Sequence, residues 1–372
     1  MKVLIAGGGT AGHINPALAI AGGIMKRWPD AEITFVGTPT GMESELVPQA
    51  GYSFEPMKVA GFQRKLSFTN IKRNAQAVWY LANSGAAAKK IVNKVKPDIA
   101  IGTGGYVSGP IMRKAAQMGV PLLIHEQNAF PGVTTKMLSK YAKVIMLAVE
   151  DARPRLGGEG LDIRLTGNPI RADVLSYDKS KAREELGIDD RPLVFSFGGS
   201  LGARRINEGM ADLIVRSSKD KKYNHIHGYG RYGSFLPPLL EEKGADMDAD
   251  NLDIREYIND MPRVMAAADL VVSRAGAITL SELQAQGKAC ILIPSPNVAE
   301  NHQYHNAMAM VNKGAADIIV ESELTCELVM QKVDAILSSP ENVQKMALAS
   351  RNMAITDAVE RITDIVAEVL GK

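Results

Sequence analysis

A chain of 372 residues, 46% hydrophobic and 23% charged, has a globular make-up with room for two ordinary domains, which excludes disordered and fibrous classes. Its net charge of +2 gives no bulk reason to expect a nucleic-acid partner. Two distant cysteines, Cys290 and Cys326, exclude a disulfide scaffold or a cysteine-ligated zinc and suit a reducing cytosol.

In chain order, Met1–Ala6 runs into glycines after one basic residue; it is too short for a signal peptide's apolar core and predicts a first strand over Lys2–Ala6. Further strands are expected near Glu32–Val36, Asp98–Ile101, Pro121–His125 and Lys143–Leu147. Helices are expected between them, among them Asn15–Arg27 and Ser108–Met118. In the second half, Leu193–Phe197, Leu270–Ser273 and Ala289–Ile293 read as strands, and Val264–Ala268, Thr279–Gln286 and Asn301–Val311 as helices. This alternation predicts an α/β protein with parallel sheets flanked by helices. Each half opens with an apolar strand entering a glycine turn, Val3–Gly9 and then Val194–Ser200, which implies two doubly wound domains, each with its own switch-point crevice. The turn at Gly167-Asn168-Pro169 marks the boundary, and a last helix runs from about Thr356 to Leu370. With no low-complexity linker, a deep cleft between closely joined domains is expected. No stretch approaches ~18 uninterrupted apolar residues, so the protein is expected to be cytosolic or attached to a membrane only at its surface.

Four segments carry chemistry. Gly7–His13 joins a strand to a helix, where close backbone approach and a helix N-terminus favour phosphate or developing negative charge; a tight turn without ligand is the plain alternative. A dinucleotide reading fails because Phe35-Val36-Gly37-Thr38 supplies no acidic residue for a ribose. His13 is well placed to act as a base. In the second half Ser200, within Gly198–Ala203, either donates to a phosphate or caps the next helix. The main chain around Ala277–Leu280 suits a diphosphate, and Glu282 either accepts from a ribose diol or complements the helix dipole. Pro294–His305 suits sugar hydroxyls; His302 and His305 lack a third ligand nearby for a metal. Asp246-x-Asp248-x-Asp250 reads as a solvated loop.

Charge is one-sided in one place. Lys58–Lys96 holds nine Lys/Arg and no Asp or Glu, interleaved with apolar residues such as Phe62, Phe68 and Trp79. An anionic membrane face and a solvated basic helix both fit this pattern.

Taken in order, these motifs resemble the MurG family, transferases that add N-acetylglucosamine (GlcNAc) to undecaprenyl-diphospho-muramoylpentapeptide in peptidoglycan synthesis. The motifs are Gly8–His13 with Pro16-Ala17, His125-Glu126-Gln127-Asn128, Thr166–Pro169 with Arg171, and Gly198–Ala203. Glu256-Tyr257-Ile258 with Asp260-Met261, Arg274–Glu282 and His302-Gln303 complete the series, which spans essentially the whole chain. Ala11 stands where many members have a second glycine, and His302 where some have Gln.

The resemblance implies a GT-B fold, two Rossmann-like doubly wound domains facing a deep cleft. Residues 1–168 would bind the lipid acceptor and the membrane, with a helix at about 354–372 packing back on them, and residues 169–353 would bind UDP-GlcNAc. Carried over by position, Ile258 would meet the uracil through its main chain. Ser200 with Ala277, Ile278, Thr279 and Leu280 would hold the diphosphate, and Ser281 beside them would belong to the substrate-binding set. Glu282 would hold the ribose, and His302 and Gln303 the sugar hydroxyls; Thr10, Ala11, Gly12, Asn128 and Arg171 would complete the donor site. His13 would be the base of an inverting displacement, with Glu126 as alternative base or orienting partner. No cofactor and no metal are implied, and the expected location is peripheral, on the cytoplasmic face of the cell membrane. A transferase for a different lipid acceptor or a UDP-GlcNAc epimerase on the same fold, and a non-catalytic sugar-nucleotide-binding or membrane-scaffold subunit, are the rival readings.

Overall fold

The computed structural model describes residues 1–59 and 84–372. They form two compact units, Met1–Ile170 with Ile355–Lys372, and Arg171–Ala354.

The first unit is a parallel sheet of seven strands: β1 (Lys2–Gly7), β2 (Glu32–Gly37), β3 (Ser53–Pro56), β4 (Ile99–Gly104), β5 (Leu122–Glu126), β6 (Val144–Leu147) and β7 (Ile163–Leu165), in the order β3-β2-β1-β4-β5-β6-β7. Val3, Leu4, Ile5 and Ala6 are all fully buried. Leu4 and Ala6 enter the apolar layer on one face of the sheet, Val3 and Ile5 the layer on the other. Helices on both faces explain why the strand is a continuous apolar run with no alternation. Strand order reverses between β1 and β4, so the carboxyl ends of those strands, Gly7 and Gly104, flank the switch point.

The last helix, Ala358–Leu370, lies in this unit against the helix Ala11–Arg27. Its Ile362, Ile365 and Val366 share a core with Ile20 and Ile24. Gly23 permits the close approach, since a Cβ there would sit 2.2 Å from Val359 Cγ1.

The second unit repeats the plan with β8 (Leu193–Phe197), β9 (Asn224–Gly228), β10 (Leu252–Arg255), β11 (Leu270–Ser273), β12 (Ala289–Leu292) and β13 (Asp317–Ile318), in the order β10-β9-β8-β11-β12-β13. All its pairings are parallel, and its switch point lies between β8 and β11. β9 is absent from the sequence-based elements because Asn224-His225-Ile226-His227 reads as polar. Both histidines are in fact buried on either side of Ser196 Oγ, at 2.9 and 2.6 Å. Burial pushes both imidazoles down to about 3, so they are neutral at physiological pH. The edge strands β3, β7, β10 and β13 are short and partly exposed, and they too lack a clear sequence signal.

Candidate functional site

At the β1–β4 switch point, Thr10 is the N-cap of the helix Ala11–Arg27, and His13 lies in its first turn. Thr10, Ala11 and Gly12 are exposed and His13 is half-buried. Gly104, with φ of +107°, supports the His13 ring: a Cβ there would stand 2.8 Å from Nδ1. Thr103 Oγ1 donates to the His13 carbonyl at 2.8 Å.

The glycine turn differs from a generic phosphate loop in one respect. Glu43, 1% exposed, accepts from the Gly9 amide at 3.1 Å and from Thr38 N and Oγ1 at 2.9 and 2.8 Å. Burial alone would push this carboxyl up, but the bonds from Thr38 and Gly9 outweigh it and hold the group below the ordinary range. The acidic residue absent from the end of β2 therefore arrives six residues beyond it, and it binds the turn itself rather than a ligand. Nothing in its local sequence signals this, because it belongs to a short helix, Glu43–Gln49.

β5 ends at Glu126, which is 3% exposed. Glu126 Oε1 accepts from the main chain and side chain of Asn128, both at 3.1 Å, and Oε2 accepts from Gly132 N at 3.0 Å and from Thr135 Oγ1. Its carboxylate thus ties the loop 128–132 to the first turn of the helix Val133–Leu138. The group beside His13 is the next residue, Gln127, whose Oε1 is 3.0 Å from His13 Nδ1. Gln127 Nε2 reaches His125 Nδ1 at 3.0 Å and the His125 carbonyl at 2.9 Å. The expected orienting role of Glu126 thus falls geometrically to Gln127, the residue just past the end of β5, because the Glu126 carboxylate is turned to its own loop and the Gln127 amide to His13.

In the second unit, the loop Gly198–Ala203 leaves β8 and lines a cavity of about 520 Å3 with Arg274, Asn297 and Gln303. Ser200 lies in this loop. The N-cap of the following helix, Arg204–Asp220, is Ala203, so Ser200 does not cap it. Gln303 Oε1 accepts from Ser295 N at 2.9 Å, which brings the Pro294–Gln303 segment to the same cavity. His302 opens the helix His302–Val311, with Nδ1 2.8 Å from the Ala299 carbonyl. The two residues before it, Glu300 and Asn301, have φ of +52° and +49°, strained values for non-glycine residues. Arg274 and Asn297 are cavity residues that sequence reasoning passed over, although Arg274 heads one of the quoted motifs.

β11 leads through Gly276 into the helix Ala277–Gln286, which has no side-chain cap and no acidic residue in its first turn. Ala277, Ile278 and Thr279 are half-buried there. Leu280 differs from expectation: it is 4% exposed and its amide already donates to Gly276 O at 3.0 Å, so the α-helical bond consumes that donor. Ser281 Oγ donates back to the Ala277 carbonyl at 3.1 Å. Glu282 sits 3.5 Å from Arg171 Nε. Burial pushes the Glu282 carboxyl up, and Arg171 opposes the shift. The Ile258 side chain packs in the core against Gly228, which leaves only its main chain to meet a ligand.

The motif Asp246-x-Asp248-x-Asp250 is a solvated turn, with Asp250 paired to Lys221 at 2.7 Å. Of the basic segment, residues 60–83, with Arg64, Lys65, Lys72, Arg73 and Trp79, lie outside the described residues. The helix at 84–95 buries Ala88, Ile91 and Val92 and exposes Lys89, Lys90 and Lys94, the last paired to Glu55 at 2.6 Å. Among the described residues no helix is long and apolar enough to cross a membrane.

Family models match both halves: the glycosyltransferase family 28 N-terminal domain over residues 3–147 and the C-terminal domain over residues 193–362. A UDP-N-acetylglucosamine--N-acetylmuramyl-(pentapeptide) pyrophosphoryl-undecaprenol N-acetylglucosamine transferase of Acetivibrio thermocellus is 45% identical, covering 100% of this chain and 98% of that relative. The enzyme of the same name from Bacillus cytotoxicus is 39% identical, covering 100% of both. The crystal structure of Acinetobacter baumannii MurG superposes with a TM-score of 0.78 at 28% identity, covering 99% of each chain. Full-length similarity at this level, on two doubly wound units of the GT-B type, means that the chain belongs to the MurG family of glycosyltransferase family 28.

Proposed function

We propose that this chain transfers GlcNAc from UDP-GlcNAc to the muramoyl sugar of undecaprenyl-diphospho-muramoylpentapeptide. The observation that carries the reading is that relatives bearing that activity in their names align with the entire chain at 39–45% identity. The second unit would hold the donor. The first-turn amides from Ala277 to Thr279 and the Ser200 hydroxyl would receive the diphosphate, with Arg274 adding positive charge. Glu282, oriented by Arg171, would accept from the ribose, the Ile258 main chain would meet the uracil, and Gln303 and His302 would read the sugar hydroxyls. The first unit would hold the acceptor, with Thr10, Ala11, Gly12 and Asn128 among its substrate-binding residues.

In the reaction, the acceptor oxygen attacks the anomeric carbon as the bond to the diphosphate breaks, its electron pair leaving with UDP. The hydroxyl proton passes to His13, and displacement from the opposite face inverts the anomeric centre. Preorganised dipoles and cations stabilise the departing charge. Glu126 acts by shaping the loop that carries Asn128. The exposed lysines of residues 84–95 support attachment to an anionic membrane face from the side that carries the acceptor.

His13→Ala is expected to lower turnover by ~10²–10⁴, measured as transfer of radiolabelled GlcNAc to the lipid-linked acceptor, while UDP-GlcNAc binding by calorimetry persists. Turnover near the parent value would sink the base assignment, and absence of transfer by the parent protein would sink the activity.

A further inference from the structure

The hydrogen bonds leading to His13 end on carbonyl groups, and carbonyls only accept. Nε2 of the buried His125 lies 2.9 Å from the Gly167 carbonyl, so Nε2 carries the proton. Burial pushes the His125 pKa down, and a neutral imidazole protonated at Nε2 offers a lone pair at Nδ1. One side-chain atom of Gln127 lies 3.0 Å from that Nδ1 and 2.9 Å from the His125 carbonyl oxygen. Both neighbours accept, so this atom is the amide nitrogen. The amide oxygen is therefore the atom 3.0 Å from His13 Nδ1, and the imidazole must donate to it. The assignment follows from two carbonyls and does not depend on telling amide N from O by shape.

The assembly is held firmly. Gln127 is 2% exposed, Asn168 Nδ2 donates to its carbonyl at 3.2 Å, and Gly104 confines the His13 ring from one side. In this tautomer Nε2 of His13 bears the lone pair and has no hydrogen-bond partner among the described residues. A base protonated on the wrong nitrogen is unable to take a proton there, whatever its pKa.

We propose that Gln127, oriented by His125, is a positioning residue that holds His13 as the Nδ1–H tautomer, so that Nε2 receives the acceptor's proton. This rests on the assignment of His13 as base.

The test is ring-15N NMR of the full chain with labelled histidine, His13 being assigned by the signal lost in His13→Asn, alongside steady-state kinetics. The parent protein should carry the neutral-form proton on Nδ1, a measurement that needs no variant. Gln127→Met, similar in shape but apolar, should lose that preference and lower kcat at least ~10-fold, with KM for UDP-GlcNAc within about twofold. Gln127→Glu, whose carboxylate still accepts from Nδ1, should keep the tautomer. A parent His13 protonated on Nε2, or Met and Glu variants with the same tautomer, would overturn the proposal. An altered tautomer in Gln127→Met with kcat unmoved would instead overturn the base assignment beneath it, and the spectrum tells the two failures apart.

Discussion

Lys288 shows what burial does to a single charged group. It is 6% exposed and donates to the Ala266 and Ala268 carbonyls at 2.6 and 3.0 Å. Burial, with Lys179 and Arg183 nearby, pushes its ammonium down to about 7. The folded pKa lies below the unfolded value of about 10.4, so between those values the unfolded chain binds more protons and stability rises with pH. The cost of charging Lys288 is fully present below about pH 7 and is relieved as pH climbs toward 10. Thermal melts of the parent should therefore show Tm rising from pH 7 to 9 more steeply than those of Lys288→Met; parallel profiles would refute the coupling. Glu43 carries the opposite lesson, a buried carboxylate kept charged by the amides it gathers.

Among the elements, the contact between the helices Ala11–Arg27 and Ala358–Leu370 turns on one missing methyl. Gly23→Ala adds helix propensity of ~1 kcal/mol but places its Cβ 2.2 Å from Val359 Cγ1, and overpacking of this kind costs about 1–3 kcal/mol. The net expectation is a Tm lowered by a few degrees and restored in the double variant Gly23→Ala/Val359→Ala. A single variant as stable as the parent would show that the helix moves aside at no cost. The paired glycines of this first helix, Gly22-Gly23, are visible in the sequence, but the partner that one of them admits is more than 330 residues away. Elements with apolar strands and glycine turns, such as β1, β8 and β11, were legible because both faces are covered. β9 was not, because its histidines count as polar until Ser196 is seen between them.

For the molecule as a whole, the proposed division puts donor chemistry in one unit and acceptor and membrane chemistry in the other, so their disruptions should separate. Replacing Lys89, Lys90 and Lys94 with Gln should weaken binding to anionic vesicles by up to ~10²-fold, at ~1 kcal/mol per cation. Lys94 is expected to add least because Glu55 already pairs with it. The loss should shrink as salt rises, and turnover on a soluble acceptor should stay at the parent value. Vesicle binding that ignores the substitutions would move membrane attachment elsewhere on the chain.

By itself the sequence determined the two doubly wound units, the glycine turns at both switch points and the family. Those follow from local periodicity, glycine placement and ordered motifs, all of which survive in a linear string. It also singled out His13. What only the tertiary structure decided is which neighbour serves each group. Glu126, the acid of the His125–Asn128 motif, ties down its own loop, while Gln127, given no role from sequence, reaches His13 across 114 positions. Glu43 occupies the amide that a phosphate loop would leave open, and Leu280 spends its amide inside its helix. Hydrogen-bond partnership depends on direction and burial, and successive residues of an extended chain point to opposite sides, so adjacency in sequence is no guide to it.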